Sequence, residues 1–301
     1  MGRAVTAKPT FLMTDPAYYQ VAYAINPWMK PGVWGADPAA HGHAATSGWR
    51  ALRSALEDIG AKVIAIPGAV GQPDMVFPAN AGVVLDGKAL LARFRHAERQ
   101  GEEAPLAAAF EGLRRQGRLT EVAAIEGYFH EGAGDAIWDA SRGHFWVGSG
   151  PRSSPEAADQ IEAFFGRPVV RVPLATERYY HLDTCFCPLS GGEVLYYPPA
   201  LTGAALTALY DNTRPDQRLE ADDEDAEAFC VNAVCLGRTI IMAQPAPRLR
   251  ARLTERGYRV IGVDLSEFIL SGGGAFCMTL RLDLQSAAAL APLPAPELVN
   301  P

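Results

Sequence analysis

Five polar or nucleophilic residues recur along the chain at a nearly constant spacing. They are Asn80, Glu131, His181, Cys230 and Cys277, separated by 51, 50, 49 and 47 positions. Equivalent positions of a cyclic repeat lie near one axis, so this spacing predicts that the five side chains meet at one pocket. A thiol, an imidazole and a carboxylate are the groups that nucleophilic catalysis by cysteine requires.

Cys277 is the candidate nucleophile. It follows Ser271 and three consecutive glycines, 272–274, in the segment SGGGAFC. Glycines allow backbone amides to approach a ligand closely and to stabilise negative charge, so the segment predicts a thiolate at residue 277. The alternative is a buried structural cysteine, which is the commoner role of this residue in a core.

Histidine is the natural proton carrier near neutral pH, so His181 is the candidate acid and base. It lies in the segment YYHLDTCFC, predicted as a strand in which His181 and Asp183 point to the same side. Glu131 and Asp135 flank a glycine-rich turn in HEGAGDAI, and carboxylates forced into a pocket need a cationic partner. A guanidinium group is such a cation. The alternatives are a structural histidine and a solvated surface turn.

Further polar residues are candidates for substrate binding. Arg99 and Arg152 can hold a carboxylate through bidentate hydrogen bonds, although either could equally face solvent. Asn26, in INPWM, and Asn80, in PDMVFPANAG, are either turn residues or pocket residues.

The elements around these residues repeat with the same period of about fifty residues. Each unit is predicted as strand, strand, helix, strand: 82–86, 88–94, 105–116 and 119–125; 135–140, 144–149, 155–165 and 168–174; 182–187, 193–197, 201–210 and a poor strand near 218; 229–236, 238–243, 246–256 and 258–263. A fifth unit is split between the termini, because 276–283 is predicted to pair with 10–13, followed by 47–59 and 61–66. This pattern predicts a cyclic α/β fold without open sheet edges. The alternative is a doubly wound α/β sheet, in which single strands alternate with helices.

The composition excludes several classes of function. The chain has 301 residues, 49% of them hydrophobic and 20% charged, and a net charge of −7, which disfavours a nucleic-acid partner and favours a cationic substrate. Neither a membrane-spanning segment nor a signal peptide is evident, so a soluble, cytoplasmic protein is expected. The five cysteines contain no CxxC pair, which predicts reduced thiols and no zinc site. The sequence leaves homo-oligomer formation open.

The chain resembles the guanidino-group-modifying (pentein) enzymes, which include arginine deiminases, dimethylarginine dimethylaminohydrolases and amidinotransferases. It is most similar to their arginine dihydrolase branch. The resemblance is carried by the blocks FLMTDPAYYQVAYAINPWM, PDMVFPANAG, RFRHAERQGEE, HEGAGDAI, YYHLDTCFCPLSGGEVLYYP, NAVCLGRTIIM and GGGAFCMTLRL, which together extend over nearly the whole chain.

The resemblance implies a five-fold α/β propeller of ββαβ units that forms a single catalytic domain, residues 1–285, followed by an Ala/Pro-rich tail, 286–301. It implies catalytic roles for Cys277, His181 and Glu131. It also implies that Asp135 and Asp183 are partners of the guanidinium or the imidazole, and that the substrate pocket is lined by Asn26, Asn80, Arg99 and Arg152.

The expected activity is hydrolysis of L-arginine to ornithine, ammonia and carbon dioxide, with no metal or organic cofactor. Arginine deiminases carry aspartate at the position of Asn80, and the resemblance associates asparagine with continuation from citrulline to ornithine. The chain departs from the dihydrolase pattern at Ser271 and Phe276. The alternatives are one round of hydrolysis on arginine or a methylated arginine, transfer of the amidino group to an amine, and an inactive binding protein.

Overall fold

The structure is a computed structural model that describes residues 8–286. The predicted tail, 286–301, lies outside the described residues except for Ser286. Within 8–286, no helix combines the length and the apolarity needed to cross a bilayer. All five cysteines fall in this range, and each is a free thiol.

The chain begins with strand β1 (Thr10–Thr14), helices α1 (Pro31–Ala36) and α2 (Pro38–Asp58), and strand β2 (Lys62–Ile66). Helix α2 begins earlier than the predicted helix 47–59, because Asp37 caps it by accepting a hydrogen bond from the Ala40 N–H and Pro38 occupies its first turn. Its buried residues recur at helical spacing and form one apolar face: Ala45, Gly48, Trp49, Leu52, Ala55 and Leu56.

Four further units follow in the predicted order of elements. Their bounds are β3 (Gly82–Leu85), β4 (Lys88–Leu91), α3 (Ala97–Gln100), α4 (Glu103–Arg115) and β5 (Glu121–Ala124); β6 (Ala136–Asp139), β7 (His144–Ser149), α5 (Ala157–Phe165) and β8 (Val169–Pro173); β9 (Phe186–Pro188), β10 (Val194–Tyr196), α6 (Gly203–Asn212), β11 (Arg218–Glu220) and α7 (Asp223–Glu227); β12 (Val234–Leu236), β13 (Thr239–Ala243), α8 (Pro247–Glu255) and β14 (Arg259–Val263). Helix α9 (Ser266–Ile269) and strand β15 (Leu280–Arg281) complete the described elements.

The strands form five three-stranded sheets, one for each unit. In every sheet the middle strand pairs antiparallel with the first strand and parallel with the last strand, as β4 does with β3 and β5. The fifth sheet joins the two ends of the chain, because β15 pairs antiparallel with β1, with Phe11 opposite Arg281, and β1 runs parallel to β2. The cyclic interpretation is therefore confirmed, and the fold is a five-fold α/β propeller. The alternative of one doubly wound sheet is wrong.

The core is divided among the units and lies between each sheet and its neighbours. In one cluster, Leu85 and Leu90 of the second sheet pack with Phe145 and Val147 of the third sheet and with Ile161 of helix α5. Because adjacent units share such clusters, the apolar packing sets how close the beginnings of the sheets come to the propeller axis.

Three predicted strands are wrong at their first residues. The segment 182–187 begins with a 3₁₀ turn at Leu182–Thr184 and becomes a strand only at Phe186. The predicted strands 229–236 and 276–283 likewise start late, as β12 and β15. In each case a tight turn precedes the strand, because the chain must bend where the five units crowd around the axis. The residues with candidate chemistry lie on these turns.

Candidate active site

Tight turns at the start of the propeller units carry the central polar side chains. Asn80 lies in the 3₁₀ turn Pro78–Ala81, and Glu131 immediately precedes the turn Gly132–Gly134. The two turns touch: Gly132 has φ +66°, and a Cβ atom there would lie 2.5 Å from the Ala79 carbonyl oxygen. Only glycine tolerates both that φ value and that approach, so the glycine brings Asn80 and Glu131 together.

His181 and Glu131 form the central pair. Nε2 of His181 lies 2.8 Å from Oε2 of Glu131, and both side chains are buried. On the other side of the ring, Nδ2 of Asn80 lies 3.4 Å from Nδ1 of His181. The sequence suggested that Asp183 would orient the imidazole, but Glu131 makes the direct contact. His181 is extended and Asp183 belongs to the following 3₁₀ turn, so the strand alternation assumed for the two residues is wrong.

Cationic neighbours hold Glu131 ionised. Burial would raise the pKa of Glu131, but Arg152, His181 and Arg99 outweigh it and hold the pKa well below its usual value. Nη1 of Arg152 donates to Oε2 of Glu131 at 2.9 Å, and Nη1 of Arg99 lies 3.9 Å from the same oxygen. A carboxylate that stays charged next to His181 fixes the orientation of the ring through its hydrogen bond to Nε2.

The Cys277 thiol lies between Asp183 and Asn232. Sγ donates to Oδ2 of Asp183 at 3.2 Å and accepts a hydrogen bond from Nδ2 of Asn232 at 3.0 Å. Burial raises the pKa of Cys277 well above its usual value, and the Asp183 carboxylate adds to the increase. Burial also raises the pKa of Asp183 to about 7, although His181 and Cys277 act in the opposite direction. The expectation of a resting thiolate is therefore wrong, because a buried site beside a carboxylate favours the neutral thiol.

The three glycines before Cys277 accommodate neighbouring side chains. A Cβ atom at Gly273 would lie 2.1 Å from the Phe77 ring, and one at Gly274 would lie 2.8 Å from Oδ1 of Asn232. Gly272 has φ +79°, and its carbonyl accepts a hydrogen bond from the Tyr180 hydroxyl at 2.6 Å. The glycines thus allow the turn that carries Cys277 to pack tightly against these three side chains.

Both candidate arginines are buried and paired with carboxylates, so the solvent-facing alternative is wrong. Arg99 donates from Nε and Nη2 to the two carboxylate oxygens of Glu102 at 2.8 and 2.9 Å, and from Nη1 to Oδ1 of Asn80 at 3.0 Å. Arg152 contacts Glu131 and also donates from Nη2 to the carbonyl of Ile25 at 3.2 Å. That either arginine binds a substrate carboxylate stays a prediction.

Sequence reasoning did not single out Glu102. This side chain is only 1% exposed, and burial raises its pKa to about 7 although Arg99 acts in the opposite direction. It lies in the hydrophilic stretch AERQGEE, in which only Arg99 was a candidate. The signal that could have identified it is its spacing of three residues from Arg99, because the turn between helices α3 and α4 brings these two side chains together.

Asn26 and Asp135 support the turns around the site. Asn26 is a turn residue whose Oδ1 accepts a hydrogen bond from the Trp28 N–H, while its Nδ2 donates to the Ser271 carbonyl at 3.0 Å. Asp135 accepts from the Ser153 hydroxyl at 2.6 Å, and its other oxygen accepts from the N–H of residue 182 at 2.8 Å. Asp135 therefore fixes the turn that carries His181, and one of its oxygens lies 4.0 Å from the imidazole Nε2.

Cys230 does not join the polar side chains near the propeller axis, although it shares the fifty-residue spacing of the other candidates. Its thiol lies 3.7 and 3.8 Å from the carbonyls of Ala228 and Ala243 and packs in the core cluster shared by its own unit and the preceding one. Asn232, two residues further on, reaches the centre instead. The turn of this unit is offset by two residues relative to its neighbours, and the fifty-residue spacing alone could not reveal the offset.

The arrangement can attack and protonate a substrate with side chains alone. Two buried hydrogen-bonded pairs, His181–Glu131 and Cys277–Asp183, lie close enough that the charge of His181 lowers the pKa of Asp183. Among residues 8–286, no group of three or more His, Cys, Asp or Glu side chains is arranged to hold a metal ion. The network suits covalent catalysis on a cationic group.

Comparison with known proteins gives a consistent assignment. A family model described as N,N dimethylarginine dimethylhydrolase, eukaryotic, matches residues 20–284. The chain is 39% identical over 271 residues to the bifunctional arginine dihydrolase/ornithine cyclodeaminase ArgZ of Synechocystis sp., which covers 90% of this chain and 37% of that protein. It is 34% identical over 275 residues to N(G),N(G)-dimethylarginine dimethylaminohydrolase of Mycobacterium tuberculosis, with 90% of this chain and 85% of that protein covered.

Solved structures agree with this comparison. The N-terminal domain of ArgZ, a cysteine-to-serine variant bound to substrate, matches with a TM-score of 0.87 at 38% identity, covering 93% of this chain and 100% of that one. An asparagine-to-serine variant of the same domain, covalently bound to a reaction intermediate, also matches with a TM-score of 0.87. The chain spans less than two fifths of the length of ArgZ and of the related Nostoc protein AgrE.

Proposed function

Because the chain belongs to the dimethylarginine dimethylaminohydrolase family of guanidino-group-modifying enzymes, we propose that it hydrolyses L-arginine to ornithine, ammonia and carbon dioxide. One observation carries the proposal: the Cys277 thiol is hydrogen-bonded to a buried carboxylate beside the buried His181–Glu131 pair. The similarity to arginine dihydrolases over 90% of the chain supports arginine as the substrate.

Buried carboxylates bind the guanidinium group. Among the described residues, Oδ1 of Asp183 has no hydrogen-bond partner, although the residue is only 1% exposed. A guanidinium presents N–H donors in one plane and carries the positive charge that a buried carboxylate needs in its partner. Arg99 and Arg152 are assigned to the α-carboxylate, and Asn26 and Asn80 to the pocket wall.

Binding of the cation changes the ionisation of Cys277. In the free protein, burial and Asp183 raise the pKa of the thiol, so the proton stays on sulfur. A guanidinium placed between Sγ and the carboxylates adds a positive charge that favours the thiolate and the ionised Asp183. The reactive thiolate therefore forms when substrate occupies the site, and the proton of the thiol is released to solvent.

The first round replaces one substrate nitrogen with oxygen. The Cys277 thiolate attacks the guanidinium carbon, and ammonia leaves with a proton from His181, giving an S-alkylthiouronium. His181 then takes a proton from water, the resulting hydroxide attacks the same carbon, and the thiolate leaves. The product at this stage is citrulline. Glu131 keeps the imidazole oriented throughout.

The second round acts on the neutral ureido group. Cys277 attacks its carbon and a second ammonia departs, leaving an S-carbamoyl cysteine in which the carbon keeps its bond to the ornithine nitrogen. Water attack releases the N-carboxylated ornithine, which loses carbon dioxide to give ornithine. Asn80 supports this round because its amide can donate a hydrogen bond to the ureido oxygen, which a carboxylate cannot do.

A second candidate is one round of hydrolysis on a methylated arginine. It is favoured by the 34% identity to the dimethylaminohydrolase of M. tuberculosis. In that case, dimethylarginine would give citrulline and dimethylamine, and arginine would be a poor substrate.

Product analysis tests the proposal. The purified protein is incubated separately with arginine, citrulline, dimethylarginine and agmatine, and the products are identified by mass. Ornithine and two equivalents of ammonia per arginine are expected, and Cys277→Ala should abolish both. Accumulation of citrulline without ornithine would refute the two-round proposal, and unchanged turnover by Cys277→Ala would refute the nucleophile.

We extend the proposal to the domain organisation, the location, the cofactors and the oligomeric state of the protein. The propeller is a single catalytic domain, residues 1–285, acting on a small guanidino substrate, with no nucleic-acid or membrane partner. Its location is the cytoplasm. No metal or organic cofactor takes part, because side chains supply both the nucleophile and the proton carrier. Sedimentation of the purified protein would measure whether it forms a homo-oligomer.

A further inference from the structure

The side chain of Asn232 joins the turn of Cys277 to the neighbouring unit of the propeller. Its Oδ1 accepts hydrogen bonds from the backbone N–H groups of Phe276 and Cys277 at 3.0 and 3.1 Å. Its Nδ2 donates to Sγ of Cys277 at 3.0 Å and to the Asp183 carbonyl at 3.1 Å. The residue is fully buried, and all four contacts lie within normal hydrogen-bond distance.

These contacts fix the orientation of the amide. An asparagine side chain offers two acceptor sites on oxygen and two donor hydrogens on nitrogen, and Asn232 uses all four. Rotating the amide by half a turn would set its NH₂ group against two backbone N–H donors and leave both carbonyl and sulfur without a donor. The amide nitrogen therefore has to face the sulfur atom.

We propose that Asn232 is the positioning residue of the nucleophile, which holds the turn of Cys277 in place and donates a hydrogen bond that stabilises the thiolate. This inference rests on the proposed function only for its effect on turnover. It concerns the unit in which the repeat spacing pointed to Cys230, whose thiol packs in the core cluster between this unit and the preceding one.

The chemistry at the sulfur gives Asn232 a role that differs from that of Asp183. In the resting state, Sγ–H donates to Asp183 and Sγ accepts from Asn232. After the proton leaves, Asp183 repels the sulfur, while the Asn232 N–H makes a charge-assisted hydrogen bond, which is stronger than a neutral one. Burial and Asp183 raise the pKa of the thiol, and hydrogen bonds from the Gly274 backbone and from Asn232 act in the opposite direction. The titratable neighbours of the thiol are Asp183 and Tyr180, and His181 adjoins Asp183.

Gly274 leaves room for the Asn232 side chain. A Cβ atom at this position would lie 2.8 Å from Oδ1 and 3.3 Å from Cβ of Asn232. A side chain at this position would therefore collide with the asparagine amide. An added methyl group would displace the amide without altering any atom of the asparagine, and it would also disturb the backbone of Gly274, which hydrogen-bonds the sulfur.

The test measures the reactivity of the thiol directly. The rate of alkylation of Cys277 by iodoacetamide is followed from pH 6 to pH 10 by mass spectrometry of the peptide that contains it. In Asn232→Asp the oxygen that accepts from the backbone is kept and the donor is replaced by an oxygen. At each pH below the midpoint, the alkylation rate should fall by about 10- to 100-fold, which corresponds to a rise of about one to two units in the pKa of the thiol. Gly274→Ala should move it in the same direction.

Turnover provides the second readout. In both variants kcat at neutral pH should fall by about 10- to 100-fold while KM changes by less than about threefold, because Asn232 acts through the sulfur and does not touch the substrate. Asn212→Asp, at an exposed position on helix α6, introduces the same charge away from the site and should leave both readouts at the wild-type values.

Two results would overturn the proposal. One is an alkylation profile of Asn232→Asp and Gly274→Ala that coincides with that of the wild type. The other is a loss of kcat accompanied by an equal loss of substrate affinity, which would indicate a general collapse of the pocket. The alkylation profile requires no substrate, so it decides the role of Asn232 even if no guanidino compound is turned over.

Discussion

Substitution of Asn80 by aspartate tests the chemical reason for a second round of hydrolysis. In the structure, Oδ1 of Asn80 accepts from Arg99 at 3.0 Å, and Nδ2 lies 3.4 Å from both Nδ1 of His181 and the Glu131 carbonyl. Aspartate has nearly the same shape. It keeps the acceptor for Arg99 and replaces the only N–H donor of the side chain by a negatively charged oxygen.

The cost to the fold should be small. The two contacts of Nδ2 are long, so their loss removes less than two ordinary hydrogen bonds, each worth about 0.5–1.5 kcal/mol. The new charge lies next to Arg99, which partly compensates for its burial. We therefore expect Asn80→Asp to fold, with a free energy of unfolding lowered by roughly 1–2 kcal/mol.

The effect on chemistry should depend on the substrate. The arginine guanidinium carries only donors and a positive charge, so a carboxylate at residue 80 accepts from it and supports the first round. The ureido oxygen of citrulline needs a donor, and an unpaired buried acceptor costs about 1–3 kcal/mol, which is about a 5- to 150-fold loss in kcat/KM. Citrulline should therefore accumulate when Asn80→Asp acts on arginine.

The assay compares kcat/KM for arginine and for citrulline in the wild type, in Asn80→Asp and in the exposed variant Asn212→Asp. A time course by mass spectrometry records citrulline and ornithine. Equal use of citrulline by Asn80→Asp and the wild type would refute the reasoning about the donor. An equal loss of both activities would show that the substitution damages the site as a whole.

Three further predictions concern the resting protein. Gly132→Ala should lower the free energy of unfolding by about 3 kcal/mol or more, because it adds a collision with the Ala79 carbonyl to the strain of a positive φ value, whereas the matched control Gly143→Ala, with φ +72° and open space, should cost only about 1–2 kcal/mol in urea titrations. Folding raises the pKa of Asp183 from 3.8 to about 7, so the folded state binds this proton more tightly than the unfolded state does. The resulting contribution to the free energy of unfolding is fully present below about pH 4 and is lost as the pH rises to 7. Asp183→Asn should therefore lose less stability over this pH window than the wild type. Because burial and Asp183 raise the pKa of Cys277, the free protein should react slowly with iodoacetamide at pH 7 and faster above pH 9, and a rapid reaction at pH 7 would contradict the assignment of a neutral thiol.

The sequence alone predicted the architecture because that information is local and repeated. Each unit carries its own alternation of strands, helix and turn, so five weak patterns support one another, and the split unit predicted the pairing of β15 with β1. The sequence also indicated the residue types at the centre, since few side-chain types other than the thiol and the imidazole can act as nucleophile and proton carrier near neutral pH. The same spacing placed Cys230 with them, and there it failed.

Only the tertiary structure decided which side chains meet and in what state. The offset that brings Asn232 to the sulfur arises from how a turn bends against two neighbouring units, and no single unit contains that information. Burial and charge are likewise sums over residues that are distant in the chain. The pKa of Cys277 depends on Asp183 from another unit, and the pairing of Arg152 with Glu131 joins residues 21 positions apart. A linear pattern can therefore identify the reactive groups, while the folded chain sets their electrostatics.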